Sequence, residues 1–448
     1  MTENSSLGRI LFITLGCAKN EVDTDRMRAL LLASGFEETF DVEDADAAIV
    51  NTCSFLASAT EESVEATLEL AESRAEGVRS CPIIMCGCVP SRYGDDLPEQ
   101  LPEVAAFVKA EEEDGIVDVV AGVLGVSVGA PVLDTGAMLR TVQGASAFVK
   151  ISEGCDRFCA FCAIPYIRGR YHSRTADEIV SEVSALMERG VREVVLIGQD
   201  TGIWGSDFDD DETLAKLLVR VAEVVRPYNG WVRVLYLQPE GMTDELIAAI
   251  RDTPEVLPYI DIPIQHCSAR VLKAMGRSGD PQQLHELFAK LRSEIPGMVL
   301  RTTGMAGFPG ETDEEADELF DFIESEEFDY TSVFAYSQEE GTRAAAMDGQ
   351  VDEETKLERT QRLIDLVEEL GFSATAKHVG ERVEVIVDGV EETEDGVELI
   401  GHAWFQAPDC DGAVHIASGE AAVGDIVTVD LVDSFCYEMV GEIVKEVM

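Results

Sequence analysis

Basic residues are scarce in this chain: 34 Lys+Arg stand against 87 Asp+Glu in 448 residues, a formal net charge of −53. A field of that sign repels a phosphate backbone and attracts a basic partner, while an acidic composition adopted for solubility or salt tolerance accounts equally for the total. Long apolar runs are missing as well. No stretch approaches the ~18–20 residues a membrane helix needs, which excludes a helical membrane protein. The opening MTENSSLGRI has no basic segment followed by an apolar one, so no secretory signal is expected. The expectation is a soluble, cytoplasmic protein, whose thiols stay reduced. There is no internal repeat and no low-complexity tract beyond short acidic clusters.

Cysteine, by contrast, is plentiful. Eleven is many for a reduced compartment, and an odd number argues against a closed disulfide framework. Metal or iron–sulfur ligation is the better default. The length allows two to four domains, and 46% hydrophobic residues suffice for sizeable cores.

From about residue 8 to 125 apolar strands alternate with helices: RILFITLGC, AAIVNTC and CPIIMCGC are strands, NEVDTDRMRALLLASG and SATEESVEATLELAESRAEG helices. That alternation predicts a parallel sheet with right-handed crossovers. Cys17, Cys53 and Cys88 then fall at the carboxyl ends of three strands, the edge where open parallel sheets bind ligands. Cys81 lies at the wrong end of its strand and Cys86 inside it, which leaves them as weaker competitors for the third place.

The segment from about 126 to 146 reads as a linker rich in Gly, Pro and Ser. Beyond it come six apolar strands, AFVKISEG, EVVLIGQD, WVRVLYLQP, PYIDIPIQH, VLRTTGMAGF and YTSVFAYS, separated by helical segments. They predict a parallel barrel, complete or open, with its chemistry at the carboxyl-end face. After a connecting helix the period changes to two, over five short segments with Gly turns, which predicts a small antiparallel β-barrel. The fold class expected is therefore α/β: an N-terminal open parallel sheet, a central TIM-like (β/α) barrel and a C-terminal small antiparallel β-barrel, with boundaries near 8–125, 141–374 and 377–446.

Cys155, Cys159 and Cys162 form a C-x3-C-x2-C run just past the first barrel strand, with no fourth cysteine nearby. Three thiolates on a [4Fe–4S] cluster leave one iron open to a substrate or cofactor. A three-cysteine zinc site and unconnected structural thiols are the alternatives.

This run, in this position, resembles the radical S-adenosylmethionine (SAM) superfamily. The resemblance narrows over nearly the whole chain, from about Leu7 to Glu446. TLGCAKNEVDTDRM, VNTCSF, CGCVPSRY, SEGCDRFCAFCAIPYIRGR, LPYIDIPIQHCSARVLKAM, GFPGET and EEGTRAA are similar to stretches of the methylthiotransferases, which end in a TRAM barrel. GCAKNEVDTD, IGQDTG and APDCDGAVHI look most like the branch that modifies an aspartate of small-subunit ribosomal protein S-twelve. The closing VDSFCYEMVGEI departs from that branch's usual Asp-x-Tyr-Asp-Leu-x-Gly pattern.

The resemblance implies two [4Fe–4S] clusters and SAM as cofactors. Cys155, Cys159 and Cys162 would hold the SAM-cleaving cluster, whose radical takes a hydrogen from the β-carbon of the target aspartate. Cys17, Cys53 and Cys88 would hold a second cluster carrying the sulfur, which another SAM methylates. Gln199 and Asp200 stand where related enzymes contact the methionine part of SAM. Arg301 is a candidate for its carboxylate, and the Gly304–Gly310 backbone, with Gly307 at its centre, for its nucleoside. A plain turn explains those glycines equally well, and a lone His266 beside Gln265 is more often a packed histidine than a ligand. The basic island Arg157, Arg168, Arg170, His172 and Arg174 either balances an anionic cluster and the SAM carboxylate or pairs with nearby carboxylates. Cys267, Cys410 and Cys436 read as buried small apolar residues. The implied partners are the basic ribosomal protein, a low-potential electron donor and a sulfur source. A tRNA adenosine methylthiotransferase is the competing branch, and an electron-carrier iron–sulfur protein a third reading. From Lys377 onward, 17 acidic residues face 3 basic ones, which disfavours tRNA.

Overall fold

The computed structural model describes residues 6–75, 81–129, 140–142, 144–393 and 396–444. Of the segment read as a linker, 130–139 and 143 lie outside the described residues, as do the first five residues of the opening segment. No helix among the described residues is long and apolar enough to cross a membrane.

Five parallel strands form the N-terminal sheet: β1 (Arg9–Thr14), β2 (Glu37–Thr39), β3 (Ala47–Thr52), β4 (Ile83–Gly87) and β5 (Val104–Lys109), in the order β2-β1-β3-β4-β5. β3 and β4 are buried along their whole length, which their near-continuous apolar runs require of central parallel strands. Helix α1 (Ala18–Ala33) leaves β1. The strand order reverses between β1 and β3, and such a switch point opens a crevice at the carboxyl edge.

The six central strands are β6 (Ser146–Lys150), β7 (Glu193–Ile197), β8 (Trp231–Val234), β9 (Tyr259–Asp261), β10 (Val299–Ala306) and β11 (Tyr330–Ala335). They form two parallel three-stranded ladders, β8-β7-β6 and β9-β10-β11. The ladders meet where Val232 bridges Val256 and the Leu237 N–H donates to the Asp261 carbonyl at 3.0 Å. The barrel is thus open, since β6 and β11 share no ladder among the described residues. Its helices start where the sequence signals: Thr175 with Glu178, and Thr312 with Glu315, each close a capping box.

Five antiparallel-type strands close the C-terminal barrel: β12 (Arg382–Thr393), β13 (Gly396–Ala403), β14 (Val414–Ser418), β15 (Ile426–Ser434) and β16 (Met439–Ile443), in the order β12-β13-β14-β16-β15. Only the β14–β16 pair runs parallel. Val385, Phe405, Val429 and Met439 from this barrel share one core with Phe148, Val195, Trp231, Tyr259, Val299 and Tyr330. Four of the latter are the first residues of β8, β9, β10 and β11, so the small barrel plugs the amino end of the open one. The carboxyl-end face is left for chemistry. Each such fully buried large side chain contributes about 1.5–3 kcal/mol.

A buried ionic chain ties the plug in place. The Arg233 Nε donates to Glu193 at 2.7 Å, with both side chains fully buried. The other Glu193 oxygen meets His402 Nε2, and His402 Nδ1 meets Asp388 at 2.6 Å. Burial pulls His402 down, but Glu193 and Asp388 outweigh it and hold it at about 9; burial raises Glu193, but Arg233 and His402 hold it at about 2. The stabilisation from His402 is therefore complete below its ordinary value of 6.5, declines as pH rises, and is gone above 9. That of Glu193 is complete above 4.5 and is lost as pH falls toward 2. Trp231 lies edge-on to His402 at 6.0 Å and reports on the joint. The unfolding free energy from urea titrations followed by tryptophan fluorescence is expected to fall between pH 7 and 9.5 by an amount on the order of 3 kcal/mol. In His402→Gln that alkaline decline is expected to vanish.

Candidate functional site

Three strand ends bring the first cysteine set together. Cys17 caps α1 just after β1, Cys53 follows β3 directly, and Cys88 follows β4 and starts the helix Cys88–Tyr93. Asn20 sits among them. Its Nδ2 donates to the carbonyls of Leu15 and Thr52, both at 2.9 Å, and its Oδ1 lies 3.9 Å from the sulfurs of both Cys17 and Cys88. Burial pushes the Cys88 thiol up to about 11 against the pull of Arg168, and raises Cys53 too. Cys81 precedes β4, and Cys86 lies within it and is fully buried.

The second set lies in the loop after the short strand Ser152–Glu153 at the carboxyl end of β6. Backbone bonds pin that loop at both ends and in the middle: the Cys155 N–H donates to the Gly169 carbonyl (3.2 Å), Ala160 to Met275 (2.7 Å), and Cys162 to Cys159 (3.1 Å). The Arg343 guanidinium holds the Phe158 carbonyl at 2.9 Å, and Phe158 has a positive φ of 47°. Burial raises Cys155 and pushes Cys162 up to about 12. Gly154 turns the chain into the loop with φ of +71°, and a Cβ there would stand 2.2 Å from the Arg170 carbonyl oxygen. Gly154→Ala is expected to cost about 1–3 kcal/mol and to shift this loop, read as reduced iron uptake by this variant.

All eleven cysteines are free. Among the described residues no three Cys, His, Asp or Glu side chains are grouped to hold a single metal ion. Each set offers three soft thiols that become ligands only on losing protons, the donor chemistry that an iron–sulfur cluster takes.

A buried charged network joins the two sets. Arg168 donates to Asn20 Oδ1 and to Asp23 on α1, both at 2.7 Å. Asp23 also binds Lys150, and Lys150 reaches Glu153 at 2.9 Å. Burial raises the Glu153 carboxyl, but Lys150 and Arg168 outweigh it and hold it at about 2. Lys19 lies beside this network, only 8% exposed, its Nζ 3.7 Å from the centre of the Tyr236 ring. Burial lowers its pKa, against the pull of Cys17 and Glu153. Tyr236 follows β8 and holds a positive φ of 64°.

The strand-end candidates for SAM separate into two groups. Gln199 donates to Glu153 at 3.0 Å and Asp200 pairs with Arg157, which places both beside the Cys155 loop. Ser152 Oγ, Gln199 Oε1, Asp200 Oδ1 and Gln265 Oε1 are buried without partners. Orphaned polar atoms at the ends of β6, β7 and β9 fit a polar ligand on this face.

Arg301 is placed elsewhere. It is the third residue of β10, and its nitrogens bind Asp261 (3.1 Å), Asp411 of the C-terminal barrel (3.1 Å) and Ser332 (2.9 Å). Its charge locks the plug rather than facing the carboxyl-end edge. Gly307 offers no open cradle either: a Cβ there would lie 2.2 Å from Lys356 Cγ, and its N–H is held by Glu311 at 3.0 Å. The glycine serves helix packing. His266 is a packed histidine, taken down by burial to about 4, with Nδ1 accepting from the Cys267 and Ser268 N–H groups at 3.0 and 2.9 Å. The basic island is mostly paired with carboxylates: Arg157 with Asp200 and Glu240, Arg170 with Asp156, Arg174 with Glu182. Arg168 alone lies against the first cysteine set. Cys267 is buried, whereas Cys410 is exposed and Cys436 half-buried, contrary to the expectation of burial for all three; both lie on surface turns flanking the barrel joint.

Asn20, Asp23, Lys150, Glu153 and Tyr236 were not singled out by motif. Asn20 lies three residues past Cys17 and Asp23 three past Asn20, steps that put each next to the one before along α1, which is the signal that points to them.

Comparison with known proteins follows the same three parts. A radical SAM superfamily profile matches residues 149–323, the profile "Uncharacterized protein family UPF0004" matches 9–109, and a TRAM domain profile matches 379–444. "Ribosomal protein uS12 methylthiotransferase RimO" of Pelobacter propionicus is 42% identical over 98% of this chain and 99% of its own length. The protein of the same name in Trichlorobacter lovleyi is 41% identical over 99% of this chain and 100% of its own. Among solved structures, the radical SAM methyltransferase TsrM of Kitasatospora setae, with cobalamin and a [4Fe–4S] cluster bound, superposes with a TM-score of 0.55. At 14% identity over 73% of this chain and 72% of that one, TsrM shares the fold.

Proposed function

This chain belongs to the RimO family of radical SAM methylthiotransferases, and on that premise we propose that it inserts a methylthio group at the β-carbon of an aspartate in ribosomal protein uS12. The observation that carries the reading is full-length similarity to uS12 methylthiotransferases combined with two three-cysteine sets joined by one buried network. The working units are 8–125, 141–374 and 377–446, and the protein acts in the cytoplasm, where its substrate is found.

Cys155, Cys159 and Cys162 hold one [4Fe–4S] cluster and Cys17, Cys53 and Cys88 a second. When bound, the first with SAM supplies one-electron cleavage and hydrogen abstraction, and the second supplies the sulfur. The chain's own residues do the placing. Gln199 and Asp200, with the orphaned acceptors around them, orient SAM's polar end at the barrel mouth. Arg168 and Asn20 set the first cysteine set at a fixed place on the barrel, and Arg168 offsets the charge its thiolates gain. The C-terminal plug leaves the carboxyl-end side for the reacting aspartate. Turnover draws on a low-potential electron donor and a sulfur source.

Charge supports the protein substrate over tRNA. A cavity of 660 Å³ between α1, residues 140–142 and 144–148 and the C-terminal barrel is lined by Glu21, Asp25, Asp388 and Asp409, while its cations are already paired, Arg28 and Arg140 with Asp25 and His402 with Glu193 and Asp388. Glu21 and Asp409 are both raised, first by burial, a state that a basic side chain would relieve. The test offers uS12 and unmodified tRNA separately to anaerobically rebuilt enzyme with SAM, reductant and sulfide, and reads methylthio addition by mass spectrometry. Addition to one uS12 aspartate, with tRNA unchanged, is expected; addition to tRNA alone overturns the substrate assignment.

A further inference from the structure

Lys19 is an expensive residue to place where it is. Its side chain is only 8% exposed, and it sits in the first turn of α1, where the positive end of the helix dipole disfavours a cation. Among the described residues it has no hydrogen-bonded or ion-pair partner; its contact is the face of Tyr236 at 3.7 Å. The carboxylates near it are engaged elsewhere: Glu153 by Lys150 and Gln199, Asp261 by Arg301. A buried cation without a carboxylate costs several kcal/mol unless something completes it.

Its position says what completes it. Lys19 lies two residues from Cys17, and the barrel residue beneath it, Tyr236, is held in a left-handed conformation that a tyrosine adopts only under constraint. Glu153, its neighbour on the other side, is two residues from Cys155. The ammonium therefore lies beside the buried network that links the two cysteine sets. A substrate whose carbon must meet both sets places its adjoining group there.

Building on the methylthiotransferase reading, we infer that Lys19 binds the side-chain carboxylate of the target aspartate, and that this ion pair selects an aspartate over neutral side chains. The Tyr236 ring holds the butyl chain and ammonium in position for it. In this role Lys19 fixes the substrate's β-carbon through the carboxylate next to it and transfers no proton.

The test uses peptides covering the target loop of uS12 with either aspartate or the isosteric, neutral asparagine at the modified position. Their dissociation constants are measured on rebuilt wild-type enzyme, Lys19→Met and Lys19→Arg, with iron content checked for each. Wild type is expected to prefer the aspartate peptide about tenfold or more, as a buried charge-assisted pair implies. Lys19→Met is expected to bind the two peptides equally, and Lys19→Arg to keep part of the preference. A lysine that merely supports the fold weakens both peptides alike, so an unchanged ratio in Lys19→Met overturns the inference. Should Lys19→Met fail to take up iron, the wild-type ratio decides, and no preference for aspartate overturns it. If wild type modifies uS12 but the Lys19→Met ratio persists, this inference alone fails; if wild type modifies no uS12, the functional reading fails and the inference with it.

Discussion

Alanine at Cys155, Cys159 and Cys162 is expected to abolish SAM cleavage, whereas alanine at Cys17, Cys53 and Cys88 leaves SAM cleavage in place and stops methylthio transfer. The two sets stand on separate scaffolds, which is why their losses separate. The Cys155 loop is pinned by backbone N–H groups that donate to the Gly169 and Met275 carbonyls and by Arg343, all within the central barrel. The Cys17 set is built at the switch point of the N-terminal sheet and fastened by Asn20 to Leu15 and Thr52. Each triple variant removes the three thiols of one set and no backbone bond of the other. Activity at the affected step is expected to fall to background, because the chemistry of each step would come from the cofactor that its cysteine set holds. Anaerobic assays that count 5′-deoxyadenosine and methylthiolated uS12 in parallel check this. Loss of both products in the Cys17 set variant contradicts the division of labour.

Arg168→Met is expected to lower stability by about 3–5 kcal/mol, the range for opening a buried ion pair. The Arg168 side chain is 3% exposed and links Asn20 and Asp23 on α1 to the central barrel. Its removal leaves Asn20 Oδ1 facing two sulfurs without its charged donor, and leaves Asp23 to Lys150 alone. Lys150 is itself shared with Glu153, so it cannot compensate. Arg168→Lys retains charge but cannot reach both acceptors with one planar fork, and is expected to recover less than half of the loss. Urea unfolding of the N-terminal unit measures the first effect, and iron uptake by the Cys17 set measures its consequence. Wild-type-like values for both in Arg168→Met contradict the linking role.

Strands with long apolar runs were legible in the sequence. All six central strands and all five of the C-terminal barrel overlap the segments that hydrophobic period and Gly turns mark out, although β6 and β13 each start one residue earlier and β12 runs on to Thr393. β2 and β5 escaped because both are edge strands: β2 is the three residues Glu37–Thr39, without an apolar run, and β5 is half exposed. The cysteines at strand ends were legible for the same reason that the strands were, since strand direction fixes which end faces the crevice. Side-chain direction within a strand is not so fixed. Arg301 looked available for a ligand because its partner Asp411 lies 110 residues away in another barrel. Gly307 looked like a cradle because the Lys356 chain that fills the space comes from a distant helix. Lys19 stood in plain view within the GCAKNEVDTD stretch, yet only the fold reveals that it is buried against Tyr236 with no carboxylate of its own.

Iron and sulfide content of the anaerobically rebuilt protein tests most directly that two separate cysteine sets each hold a cluster. Wild type is expected to bind about eight irons per chain, and each triple-alanine variant about four. About four irons in wild type, unchanged by alanine at Cys17, Cys53 and Cys88, contradicts the account.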